Sequence, residues 1–112
     1  MPERIKAAGL AEKPFTLVVV FSTKPESAGK LDPLVQRGAT ETHKEKDCLL
    51  YDAHKNPEVP GQYVFLERFQ GIAGLEAHVA TDYTKDLLAA FAAEATAPPK
   101  ISIVDQVSPT RK

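Results

Sequence analysis

Hydrophobic and polar positions divide the chain into stretches of two different periods. The run Phe15-Thr-Leu-Val-Val-Val-Phe21 is almost wholly apolar and rich in β-branched residues. Pro14 precedes it and Lys24-Pro25 follows it, so it predicts a strand. Being apolar on both sides, that strand is expected at the centre of a sheet, covered on both faces. Over residues 27–46 the period lengthens, and Leu31, Leu34, Val35, Gly38, Ala39 and Thr42 fall on one helical face. Asp32-Pro33 reads in two ways: an N-cap with proline at the first helical position, or a kink after one early turn. A second strand is expected from Cys48 to His54. The turn residues Asn56-Pro-Glu-Val-Pro-Gly61 then lead into a third, Gln62 to Phe69. On this third strand Tyr63, Phe65, Glu67 and Phe69 share one face, with Val64, Leu66 and Arg68 on the other. Residues 71–80 predict a short helix. Thr81-Asp82 opens a longer one to about Ala95, with Leu87, Leu88 and Phe91 turned inward, and Ala97-Pro-Pro99 stops it. A last strand is expected from Ile101 to Val107.

Strand, helix, strand, strand, helix pair, strand is the split βαβ order, an α+β fold of the ferredoxin-like type. Right-handed crossovers put the first and third strands in the middle of one four-stranded antiparallel sheet, with the helices on one face. The other face carries too much apolar surface for water. A second copy of the same sheet is its simplest cover, which predicts a homodimer, a dimeric α+β barrel. The chain divides into an N-terminal arm (1–14), the folded domain (15–107) and a C-terminal tail (108–112), both ends being loose unless a partner pins them.

Composition narrows the functional classes. The 112 residues carry a formal net charge of −1, with basic and acidic residues interspersed, so neither nucleic acid nor an anionic membrane is an expected partner. The single cysteine, Cys48, has no intrachain partner, which fits a reducing compartment. No secretory signal is read at the start of the chain, and the cytoplasm is the expected location. The three histidines lack metal-ligand spacing, and no phosphate-binding glycine loop is present, so neither metal nor nucleotide cofactor is expected.

Residues 45–85 carry a more specific signal. Glu45-Lys-Asp-Cys48-Leu49-Leu-Tyr51, then Glu67-Arg-Phe69, then Gly74-Leu-Glu-Ala-His78 and Thr81-Asp-Tyr83 resemble the antibiotic biosynthesis monooxygenase family. Lys46 and Asp47 depart from that family's usual proline and glycine, Phe69 from its tryptophan and Gly74 from its alanine. With the element order, the resemblance extends over about residues 15–107. It implies a cofactor-independent monooxygenase that oxidises a small hydrophobic substrate, a quinol, phenol or anthrone, with O2. An isomerase or cyclase on the same scaffold, or a non-catalytic dimer that binds a ligand, is the alternative.

Such chemistry needs a base in an apolar pocket. His78 can take a phenolic proton near neutral pH, or be a packed histidine at a helix end. Glu67, among aromatics, must be paired or hydrogen-bonded, and can orient His78 or meet a partner chain. Tyr51 and Tyr83 either donate hydrogen bonds to a substrate oxygen or pack at the rim. Phe21, Phe65, Leu87 and Phe91 are the expected apolar walls. Which face Tyr51 and Phe65 present depends on strand register.

Overall fold

The computed structural model describes residues 1–110; Arg111 and Lys112, the end of the expected tail, lie outside the described residues. Helix α1 (Pro2–Ala7) precedes strand β1 (Phe15–Ser22). After a 3-10 turn at Pro25–Ser27 come α2 (Ala28–Thr42), β2 (Cys48–Lys55), β3 (Gln62–Phe69), α3 (Ile72–Val79), α4 (Asp82–Glu94) and β4 (Lys100–Val104). The four strands form one antiparallel sheet in the order β2-β3-β1-β4, so β1 and β3 are central as the apolar run foretold.

Register decides what each face holds. Leu17 lies opposite Glu67 and Ile103, Val19 opposite Phe65 and Ile101, and Tyr51 opposite Glu67. These side chains share the face that the helices cover, where Phe15, Leu17, Phe65, Phe69, Leu31, Leu87 and Phe91 form the buried core. The opposite face presents Val18, Val20, Val64 and Leu66 along the middle strands and the exposed Leu50 and Val104 at the edges. No element of the chain lies over it among the described residues.

Three local expectations are corrected. The arm is not loose: Ile5 is fully buried, Leu10 nearly so, and the Arg4 guanidinium donates to the Ile101 carbonyl at 3.0 Å, so α1 docks beside β4. Apolar residues spaced within a charged segment gave it a buried side. The last strand stops at Val104, and Val107 beyond it is 99% exposed. Helix α2 begins before the Asp32-Pro33 pair and carries Pro33 inside it, which favours the early-turn alternative, and it ends at Thr42 rather than residue 46. Asp32 is held by tertiary contacts instead of capping, accepting from the Tyr63 hydroxyl at 2.6 Å and pairing with Lys55 at 2.6 Å.

The β2–β3 hairpin closes against the end of β1 at Gly61. Its φ of +89° is a left-handed conformation, and a Cβ there would sit 2.1 Å from the Thr23 carbonyl oxygen. Thr23 donates to the Gly61 carbonyl through both its backbone N–H, at 2.9 Å, and its hydroxyl, at 2.8 Å. Gly61→Ala is therefore expected to destabilise the fold by about 2 kcal/mol or more, combining backbone strain with a lost close approach. Chemical denaturation of the two proteins measures this; equal midpoints and slopes would contradict it.

Candidate functional site

Between the helices and the covered face of the sheet lies a cavity of about 240 Å³. Leu17, Val19 and Phe65 form its floor, with α3 and α4 above and the start of α1 with Pro99 at one side. Six expected site residues line it: His78, Tyr51, Glu67, Phe21, Phe65 and Leu87. Its wall is almost entirely apolar, and Glu67 and His78 are its two buried ionisable groups other than the Tyr51 phenol.

His78 sits near the end of α3, with 3% of its surface exposed. Its ring lies 5.3 Å from the Tyr51 ring and 5.2 Å from the Phe69 ring, centroid to centroid. Nδ1 is 3.0 Å from one oxygen of the Glu45 carboxylate and 3.1 Å from the other. Nε2 lies 3.9 Å from Glu67 Oε1, beyond hydrogen-bond length. The tautomer that donates from Nδ1 to Glu45 leaves the Nε2 lone pair on the Glu67 side.

Glu45 is thus the residue the sequence reading did not assign to the site. It stands in the turn between α2 and β2, and also accepts a short hydrogen bond from the Tyr83 hydroxyl. This explains why Tyr83 does not reach the cavity: its phenol is turned to Glu45 behind His78. Burial, the hydrogen bond to Glu45 and that carboxylate's charge push the Tyr83 phenol up to about 12. The signal in the sequence was Glu45 itself, part of the motif that suggested the family.

Close approach of α3 to this turn depends on Gly74. A Cβ at Gly74 would stand 2.8 Å from Asp47 Cβ and 3.1 Å from the Asp47 carbonyl oxygen. The same carbonyl accepts from the Gln70 N–H at 2.8 Å, so the turn has little room to retreat. Glycine at this position lets α3 sit near enough for His78 to meet Glu45.

Phe91 does not line this cavity either. It stacks on Phe21 at 4.2 Å between centroids and borders a second apolar cavity of about 210 Å³ toward Ala95 and Pro99. Phe21, Leu88 and Pro99 border both spaces.

Glu67 is in an unusual position for a carboxyl group. It is 8% exposed, and burial followed by repulsion from Glu45 pushes its pKa up to about 7. Burial also raises the Tyr51 phenol, with the Glu67 charge adding to the effect, so Tyr51 is a hydrogen-bond donor rather than a base. Cys48 is pushed up to about 11 by burial and the Glu45 charge, which makes it a poor nucleophile. Among the described residues no group of three His, Cys, Asp or Glu side chains is arranged to hold a metal ion.

A family model described as antibiotic biosynthesis monooxygenase matches residues 14–90. No curated protein matches the sequence. Among solved structures, one of an antibiotic biosynthesis monooxygenase superposes with a TM-score of 0.78 at 26% identity, over 84% of this chain and 99% of that one. A Caulobacter crescentus protein named for the same family gives 0.81 at 23% identity, over 92% and 98% of the two chains. A Mycobacterium tuberculosis protein gives 0.78 at 20% identity, over 88% and 100%. The last two likenesses speak to the fold.

The position of Glu67 has a measurable consequence. Its folded pKa lies above its unfolded one, so the native state binds more protons across the interval from about 4.5 to about 7. Stability therefore falls as pH rises through that window and stays reduced above it. Glu67→Gln removes the ionisation. The variant is expected to be more stable than the parent near pH 8, by on the order of 2–3 kcal/mol, and to lose that advantage near pH 4.5. Denaturation midpoints at the two pH values check this, and a pH-independent difference would contradict it.

Proposed function

This chain belongs to the antibiotic biosynthesis monooxygenase family, whose model spans 14–90 of its 112 residues, and from that premise we propose that it is a cofactor-independent monooxygenase. Its substrate is a small flat hydrophobic molecule, a quinol, phenol or anthrone. The observation that carries the reading is a buried histidine, held at Nδ1 by a carboxylate 3.0 Å away, on the wall of an apolar cavity.

Ground-state O2 is a triplet and reacts slowly with closed-shell molecules, whereas a phenolate or enolate can give it one electron. The protein's task is to form the anion and keep water away. For an anthrone, His78 Nε2 takes a proton from the substrate, and Glu45 meets the imidazolium charge through Nδ1–H. The anion passes one electron to O2, and the resulting radical and superoxide combine to form a C–O bond. Protonation from His78 gives the hydroperoxide. Loss of the remaining C–H proton with O–O cleavage leaves a carbonyl and releases water. One oxygen atom ends in the product and the other in water, and all electrons come from substrate carbon. In this reading Tyr51, on the cavity wall, donates to the substrate oxygen, and the lining side chains Phe21, Phe65 and Leu87 pack on its rings.

The working unit is a homodimer joined through the uncovered sheet face. The apolar stripe Val18, Val20, Val64 and Leu66 on that face supports this, because isolated β-sheets with an apolar face need a cover. No helix of the described residues is long and apolar enough to cross a membrane. The unpaired Cys48 supports a cytoplasmic setting.

Oxygen uptake with a panel of anthrones and quinols tests the activity. His78→Ala is expected to lower kcat/KM by about 10²-fold or more while the fold survives. A folded variant with unchanged turnover would remove His78 from the mechanism. Ligand binding without any oxygen uptake would favour the non-catalytic alternative. Light scattering at micromolar concentration is expected to give twice the chain mass, and a monomer would count against the sheet-to-sheet dimer.

A further inference from the structure

The ionisable groups around the cavity are biased to one sign. Glu67 on β3 and Glu76 on α3 line it, and Glu45 lies behind His78. No lysine or arginine lines it among the described residues. Two α1 cations stand at its edge and are already partnered: the Met1 amino group faces Glu3 at 3.6 Å, and the Arg4 guanidinium donates to the carbonyl of the lining residue Ile101. From α4 only the uncharged Thr84, Leu87 and Leu88 reach the wall, and from β2 the phenol Tyr51. Two carboxyl groups, Glu45 and Glu67, therefore flank one imidazole beside an apolar wall, and a third, Glu76, is exposed on the lining.

We propose that the pocket selects its ligand by charge, admitting flat molecules that arrive neutral and rejecting analogues of the same shape that carry a carboxylate. The inference rests on the reading of this cavity as the substrate site. Proton transfer from a neutral substrate to His78 only redistributes charge inside the pocket, so the site's total charge is unchanged. An anion entering from water adds a negative charge beside Glu67 and Glu45 and loses its hydration. Among the described residues the wall offers it no basic side chain in return, and the start of α1, which borders the cavity, brings an amino group that already faces Glu3. Glu76 adds a milder effect, being exposed at the mouth. The raised pKa of Glu67 agrees with this field, since burial, and after it the neighbouring Glu45, already disfavours a negative charge there.

Binding separates this proposal from the oxygenase reading, since it needs no turnover. The probes are 1-naphthol and 1-naphthoate, matched in shape and titrated by calorimetry at about pH 7.5, where the first is neutral and the second charged. Naphthol is expected to bind about tenfold or more tightly than naphthoate. Glu67→Gln should narrow that gap by at least about threefold at both low and high salt, because the group is buried. Glu76→Lys, on the exposed face of α3, should narrow it at low salt only. Lowering the pH to about 5.5, where Glu67 is protonated, should narrow it in the parent protein. Equal affinities, tighter naphthoate binding, a gap indifferent to Glu67→Gln, or no naphthol binding up to about 1 mM would each overturn the proposal. Selective binding without oxygen uptake would uphold it while removing the oxygenase reading.

Discussion

One carboxylate receives hydrogen bonds from two helices, and the site depends on it. Glu45 stands in the turn after α2 and binds His78 on α3 and Tyr83 on α4. A half-buried carboxylate needs such partners, since burial without them costs several kcal/mol. In meeting that need it ties the α2–β2 turn, α3 and α4 together around the imidazole. The turn is itself fastened, with Glu45 N–H donating to the Thr42 carbonyl at 2.9 Å and Gln70 N–H to the Asp47 carbonyl. Gly74 supplies the clearance that lets this network close.

Glu67 is the counterpart that shows what Glu45 avoids. Both carboxyl groups flank His78, yet only Glu45 lies within hydrogen-bond distance of the ring. Glu67 is left in the apolar wall with its proton held more tightly than a free carboxyl holds it. Two like groups thus lie in unlike surroundings, the first hydrogen-bonded to the ring and the second left in the apolar wall. The same asymmetry is costly to the fold above about pH 7, where Glu67 loses its proton in the apolar wall.

The sheet was legible because its signals are local. The apolar β-branched run 15–21 could only be a central strand, and alternation along 62–69 placed Tyr63, Phe65, Glu67 and Phe69 on one buried face. The site was legible in part. His78, Glu67 and Tyr51 were recognised as residue types in a motif, and strand register then brought them together. The pairing of Glu45 with His78 spans 33 positions, and long-range pairing leaves no periodic trace in a sequence. Helical rotation accounts for the misplaced wall residues. Steps of four residues from Tyr83 through Leu87 to Phe91 drift around the helix, so Leu87 faces the cavity while Tyr83 turns to Glu45 and Phe91 to the neighbouring space. The docking of α1 was hidden because two buried apolar residues, Ile5 and Leu10, make too short a pattern to read.

That docking has a practical side. Met1 and Pro2 border the same cavity as His78, so whatever is joined ahead of Met1 leaves the chain at the cavity's edge. A purification tag fused there would bring a flexible, imidazole-rich peptide to the edge of the cavity that holds His78. Beyond Val104 the chain carries no helix or strand through residue 110, and Val107 is fully in solvent. An affinity handle at the carboxyl end therefore leaves the cavity's edge clear.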